Sequence, residues 1–300
     1  MKDKRTVLYR TVRMSRLVKN FTALLAGCVA LVVAVTAVVG HLSAAAEEKQ
    51  KAGRVELPII MYHGILRDSK RQGKFVISPS EFEADLKYLT EHGYHTIVMQ
   101  DLIDYVQNGT PLPEKPVMIT FDDGQLSVLE YALPLLERYD SRAVAAIVGA
   151  YADLYTGNED RNINYACMTW EDVKKLSQSG RVEIANHTYD MHNLDEGRKG
   201  CHINSGESSS AYEEAFTADL LKNQQKITRA IGCQPLAFAY PFGILCDEAR
   251  EVLEQQGYRV AFTCTEAVNQ LTGDPAELME LCRYNRSNNV DRASFFAQWN

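Results

Sequence analysis

The chain has 300 residues, 46% of them hydrophobic and 24% charged, enough apolar matter for a sizeable core and too much for wholesale disorder. Its formal net charge of −7 is unevenly spread: residues 1–40 carry seven Lys or Arg against Asp3 alone, and the remainder carries 25 basic and 38 acidic side chains. A body that acidic is a poor partner for nucleic acid, whose phosphates call for Lys and Arg, and nothing in the sequence points to a protein partner.

The first forty residues read as an address. Residues 1–20 form a basic tail, and Phe21–Gly40 is free of charged side chains and rich in Ala, Val and Leu. At helical rise that run spans roughly 30 Å, the thickness of a bilayer's hydrocarbon core. Because the basic cluster lies wholly before it, the expectation is one transmembrane helix with a cytoplasmic N-terminus and everything after His41 outside. The rival is a signal sequence cut near Ala46, where Ser43-Ala44-Ala45-Ala46 offers small residues, leaving a secreted protein. Residues 41–56 are a linker, and residues 57–300 read as one continuous globular domain.

Within that domain, Leu57–Tyr62 (LPIIMY) suits a buried strand. Ser78-Pro79-Ser80-Glu81 opens a helix on which Phe82, Leu86 and Leu89 recur until His92-Gly93. Thr96–Met99 is strand-like, Gln100–Gln107 a short helix, Pro116–Phe121 (PVMITF) a second buried strand and Ser127–Arg138 a helix. Ala143–Val148 and Val182–Ala185 are strands with a helix near Trp170–Ser177 between them. Tyr212–Ile231 is a longer helix, with Ser210 and Glu213 at capping-box spacing. A strand at Leu236–Tyr240, a helix over Asp247–Gln256 and strands at Val260–Thr263 and near Leu281–Tyr284 follow. Repeated β-α units of this size predict a parallel sheet, doubly wound or closed as a barrel. Asp153–Met168 and Asp195–Ser209, rich in Gly, Asn and Ser, are predicted loops. Six cysteines (Cys167, Cys201, Cys233, Cys246, Cys264, Cys282) lie in the domain; no C-x-x-C spacing suggests structural zinc, and their pairing stays open.

Four clusters fall just past predicted strands. In Thr120-Phe121-Asp122-Asp123-Gly124 two adjacent carboxylates are costly to ionise together unless a cation or proton intervenes. A bare DDG is otherwise an acidic turn with a helix cap. In Asn186-His187-Thr188-Tyr189-Asp190-Met191-His192 the two His would point about 140° apart on a helix, so they converge only if the segment turns as a loop. With Asp123 they would then make a His₂-carboxylate site with an open position, the catalytic pattern. Ala239-Tyr240-Pro241-Phe242-Gly243 is a stiff turn, and Met61-Tyr62-His63-Gly64 ends the first strand. A barrel would gather all four at one mouth.

TFDDG, NHTYDMH and AYPFG, in this order, resemble the polysaccharide deacetylase family (NodB homology, carbohydrate esterase family 4), over roughly Leu57 to Arg283. The resemblance implies a deformed (β/α)₇ barrel and metal-dependent hydrolysis of N-acetyl groups from a cell-wall or extracellular glycan, a polymer containing N-acetylglucosamine. By position, Asp122 resembles the catalytic base, Asp123, His187 and His192 the ligands of a divalent metal (Zn²⁺ the first expectation), and the Phe242 N–H the oxyanion donor. The five-residue His spacing is similar to the poly-N-acetylglucosamine deacetylase branch. Tyr240 stands where many members carry Arg, and no His follows His202 to act as a late general acid. In that branch the acid follows a Tyr on an early strand, and Tyr62-His63 matches, which implies His63. The alternatives are a silent glycan-binding barrel and an O-acetyl sugar esterase.

Overall fold

The computed structural model describes residues 53–158, 160–194 and 198–299. The predicted anchor at residues 21–40, with the basic tail and most of the linker, lies outside the described residues. Among the described residues no helix is long and apolar enough to cross a membrane.

Among the described residues, eight strands make the main sheet: β1 (Ile59–Tyr62), β2 (His95–Ile97), β3 (Pro116–Phe121), β4 (Ala143–Ile147), β5 (Val182–Asn186), β6 (Ala237–Ala239), β7 (Val260–Phe262) and β8 (Tyr284–Asn285). Their order is β7-β6-β5-β4-β3-β1-β8, with β2 paired to the first half of β3, and every pairing is parallel. Strands covered on both faces need apolar side chains at every position, which is why PVMITF and AVAAI read as unbroken runs. The sheet curls until the segment leading into β8 touches both its edges: Leu281 bridges Phe262 of β7, and Tyr284 and Asn285 pair with Ile60 and Met61 of β1. This is a deformed (β/α) barrel.

Alternate strand residues serve different cores, three among the described residues, the third built on Phe238 and Ala261. Ile60, Ile119, Phe121, Ala145 and Ile184 pack under the helices. Ile59, Met118, Val144, Ala185, Ala239 and Phe262, from strands across the curl, fill the inside. Small side chains there let a narrow barrel close.

The helices are α1 (Pro79–Glu91), α2 (Met99–Asn108), α3 (Leu133–Arg138), α4 (Gly149–Thr156), α5 (Trp170–Gln178), α6 (Ser209–Ile231), α7 (Asp247–Gln255) and α8 (Arg292–Phe296). The Ser78 hydroxyl caps α1 by accepting from the Glu81 N–H at 3.0 Å, as the spacing predicts. Elsewhere the details depart from expectation for local reasons. Pro58 has no N–H to give a ladder, so the first predicted strand splits, and Val55–Leu57 pairs antiparallel with Asn269–Leu271 instead. The helix expected over Ser127–Arg138 begins as a wide π turn, Val128–Ala132, just ahead of Pro134. Helix α6 is capped by Ser208 rather than by Ser210. Helix α4 takes the first residues of the loop predicted from Asp153. All six domain cysteines are free thiols.

Candidate active site

The four clusters meet at the C-terminal end of the sheet. Asp122 and Asp123 follow β3, His187 follows β5, Phe242 lies in a 3₁₀ turn after β6, and His63 follows β1. A cleft of about 460 Å³ holds all of them and His192, with Phe75 and Glu266 on its rim. A second hollow of about 370 Å³ shares His63, Phe75 and Asp123 and runs on to Tyr165. The backbone is strained here: Asp123, Thr188 and Phe242 hold left-handed φ values of 70°, 68° and 59°. Such conformations in non-glycine residues persist only where the surroundings enforce them, and they cluster at functional sites.

The His-bearing turn shows how a five-residue spacing converges. Asn186 Oδ1 accepts from the Thr188 N–H at 2.9 Å and from Asn223 Nδ2 at 2.8 Å, and Asn223 Nδ2 also reaches the Thr188 carbonyl at 2.8 Å. The Asp219 carboxylate on α6 then accepts from the N–H groups of Tyr189 at 2.7 Å and Asp190 at 2.8 Å. The chain thus folds back on itself between the two imidazoles. His192 Nε2 lies 3.3 Å and His187 Nε2 3.7 Å from Asp123 Oδ1.

These three side chains fit a divalent cation. One ligand atom from each lies within 4.8 Å of the other two. His187 Nδ1 donates to the Ala239 carbonyl at 2.7 Å, which fixes the tautomer and leaves the Nε2 lone pair free to ligate. Burial pushes the His187 imidazolium down to about 3 and lowers His192 too, so both rings are neutral, as ligands must be. Burial pushes the Asp123 carboxyl up to about 6, with the adjacent Asp122 charge adding to it against the opposing influence of His63. A carboxylate that is expensive to ionise beside two neutral imidazoles is short of one positive charge.

Asp122 has the opposite electrostatics. Burial would raise it, but Arg283 outweighs burial and holds the carboxyl below the usual carboxylate range. The pair is bidentate, Nη1 to Oδ1 and Nη2 to Oδ2, both at 2.8 Å. Arg283 is fully buried and is itself held by the Thr263 carbonyl, 2.8 Å from its Nε. Sequence reasoning missed this residue. The Arg absent at Tyr240 is supplied from the segment before β8, and Tyr240 is buried with no partner for its hydroxyl among the described residues. The available signal was a lone Arg inside an otherwise apolar predicted strand.

His63 faces the cleft with its ring 4.8 Å from that of Phe75, and its buried Nδ1 has no hydrogen-bond partner among the described residues. Tyr62 points to the other side of β1, where its hydroxyl donates to Asp85 at 3.2 Å. Phe242 is 41% exposed and its ring lies 4.7 Å from the His192 ring, so its side chain as well as its backbone belongs to the site.

The family model described as Polysaccharide deacetylase matches residues 109–261, just over half of the chain. The chain belongs to the polysaccharide deacetylase family. It is similar to the poly-β-1,6-N-acetyl-D-glucosamine N-deacetylase of Staphylococcus aureus strain MRSA252, 26% identical over 198 residues that cover 66% of this chain and 64% of that one. It is also similar to the enzyme of the same description from Escherichia coli K12, 27% identical over 223 residues, 68% of this chain and 33% of that one. The chain therefore spans less than two thirds of the length of the curated relatives it matches. Among solved structures, IcaB from Ammonifex degensii superposes with a TM-score of 0.66 at 27% identity, covering 78% of this chain and 93% of that chain. A de-N-acetylase from Aggregatibacter actinomycetemcomitans gives 0.69 at 24% identity, 81% and 99% covered, a likeness of fold. In this member of the polysaccharide deacetylase family, the strand-end carboxylates and histidines lie within one cleft.

Proposed function

We propose that this polysaccharide deacetylase removes N-acetyl groups from a poly-β-1,6-linked N-acetylglucosamine polymer, with a divalent cation, zinc first, held by Asp123, His187 and His192. The observation that carries the reading is the pairing of an Arg-locked, ionised Asp122 with a neighbouring ligand set short of a positive charge. The relatives' described activity supports the choice of polymer.

A bound cation would supply Lewis-acid polarisation of the amide carbonyl and acidify a water molecule. The chain's own residues do the rest. Asp122, kept ionised by Arg283, takes a proton from the attacking water. The Phe242 N–H donates to the carbonyl oxygen as negative charge develops there. His63 delivers a proton to the departing amine nitrogen, the amide C–N bond breaks, and acetate and a glucosamine amine result. Phe21–Gly40 would tether this chemistry to the outer face of a cell membrane.

The test is an activity panel with the full chain in detergent on poly-β-1,6-N-acetylglucosamine, N-acetylated peptidoglycan and an O-acetylated sugar polymer, measuring acetate and free amine together. Acetate matched by amine, greatest on the first polymer, is expected. Acetate without amine would make the protein an esterase, and no release from any polymer would favour a silent glycan-binding barrel.

A further inference from the structure

We propose that Cys201 and Cys246 are a dithiol that closes to a disulfide, a clamp across two loops of the candidate site. The inference does not depend on the deacetylase reading. Cys201 lies in the segment that follows His192, and Cys246 lies just past the turn that carries Phe242. One hydroxyl joins them: Tyr212 Oη donates to the Cys201 carbonyl at 2.5 Å and sits 3.6 Å from Cys246 Sγ. From the other side, Cys201 Sγ is 3.9 Å from the carbonyl oxygen of Ile244, two residues before Cys246. The two loops also meet one residue before Cys201. A Cβ placed on Gly200 would come within 3.0 Å of the Pro241 carbonyl oxygen and 3.4 Å of the Phe242 ring. Cys201 belongs to a buried apolar cluster against which Cys246 packs. The charge of Cys246, second only to burial, is among the influences that keep the Cys201 thiol protonated, as expected for neighbouring sulfurs.

Exposure sets the order of events. Cys201 is fully buried and Cys246 only partly so, which makes Cys246 the sulfur an external oxidant reaches. The oxidant is a low-molecular-weight disulfide, RSSR. Cys246 gives its proton to solvent and attacks one sulfur of RSSR, expelling RS⁻ and leaving a mixed disulfide. Cys201 then gives up its proton and attacks Cys246 Sγ, expelling the second RS⁻. Two protein thiols are oxidised and one external disulfide is reduced to two thiols. The new bond fastens the segment after His192 to the turn that holds Phe242 against His192.

The experiment uses the full-length protein, treated with oxidised glutathione or dithiothreitol, unfolded in an alkylating agent and mapped by mass spectrometry without reduction. The expected result is a linked Cys201–Cys246 peptide in the oxidised sample only, with the melting midpoint higher by on the order of 10 °C, a rise missing from Cys246→Ser. Should Cys246→Ser fold poorly, the map of the wild-type protein decides alone. Alkylated Cys201 after oxidation, or Cys201 linked to any other cysteine, overturns the proposal.

Discussion

Two buried Asp–Arg clusters stand on either side of β1, and they differ in what they face. Asp122 meets Arg283 at the floor of the cleft. Asp85 on α1 lies behind the strand, where Arg286 Nε at 2.8 Å, Arg292 Nε at 2.9 Å and the Tyr62 hydroxyl at 3.2 Å surround a carboxylate with no exposed surface. Both clusters join the chain's last described segment to elements formed far earlier in sequence. Only one leaves its carboxylate on a hollow wide enough for a sugar. On the proposed mechanism, the same ion-pair chemistry serves reactivity at the mouth and cohesion behind it. Variants at the front should cost activity beyond any loss of stability, and variants at the back should cost stability without changing the activity of the folded fraction.

The sharpest separation comes from the ligand set. Asp123→Ala or His187→Ala should lose the cation and all measurable acetate release while leaving the circular dichroism spectrum unchanged. Metal content by mass spectrometry checks the first loss. His63→Ala, which removes the proton for the leaving amine, should slow turnover by about 10²–10⁴-fold with metal content unchanged. Near-wild-type turnover would remove His63 from that role.

Arg283→Gln tests the front pair through pH. Arg283 favours the ionised form of Asp122, so without it the carboxyl keeps its proton to higher pH. The acidic limb of the kcat/KM profile should move toward neutrality, and part of the lost rate should return as pH rises. An unmoved limb would mean that Asp122 does not titrate in the rate-determining step. At the back, Asp85→Asn leaves the guanidinium groups of Arg286 and Arg292 with only the part-exposed Glu81 carboxylate, 3.4 Å and 2.7 Å away, as a counter-charge. It should cost about 3–5 kcal/mol in urea denaturation and leave the kcat of the folded fraction close to wild type.

What the sequence made legible follows from locality. PVMITF, AVAAI and the Ser78 cap are local signals, and they form the predicted elements. Asp122, Asp123, His187 and His192 are legible because each sits just past a strand, and parallel strands bring such positions together whatever their separation along the chain. Arg283 was not legible as a partner, since its contact with Asp122 exists only once the sheet has curled far enough for β8 to reach β1. Asp219 looks like any acid on a helix until the His187–His192 turn docks on it. The π turn before Pro134 and the split at Pro58 were readable in principle, because proline cannot donate to either ladder. The left-handed φ at Asp123, Thr188 and Phe242 had no sequence signal, as none of the three is glycine.

The division of labour within the site is tested most directly by Asp122→Asn, assayed for acetate release and metal content on one and the same preparation. The account predicts that release falls by about 10²–10⁴-fold while the cation stays bound at the wild-type ratio. Loss of the cation together with the activity, or release that persists near the wild-type rate, would contradict it.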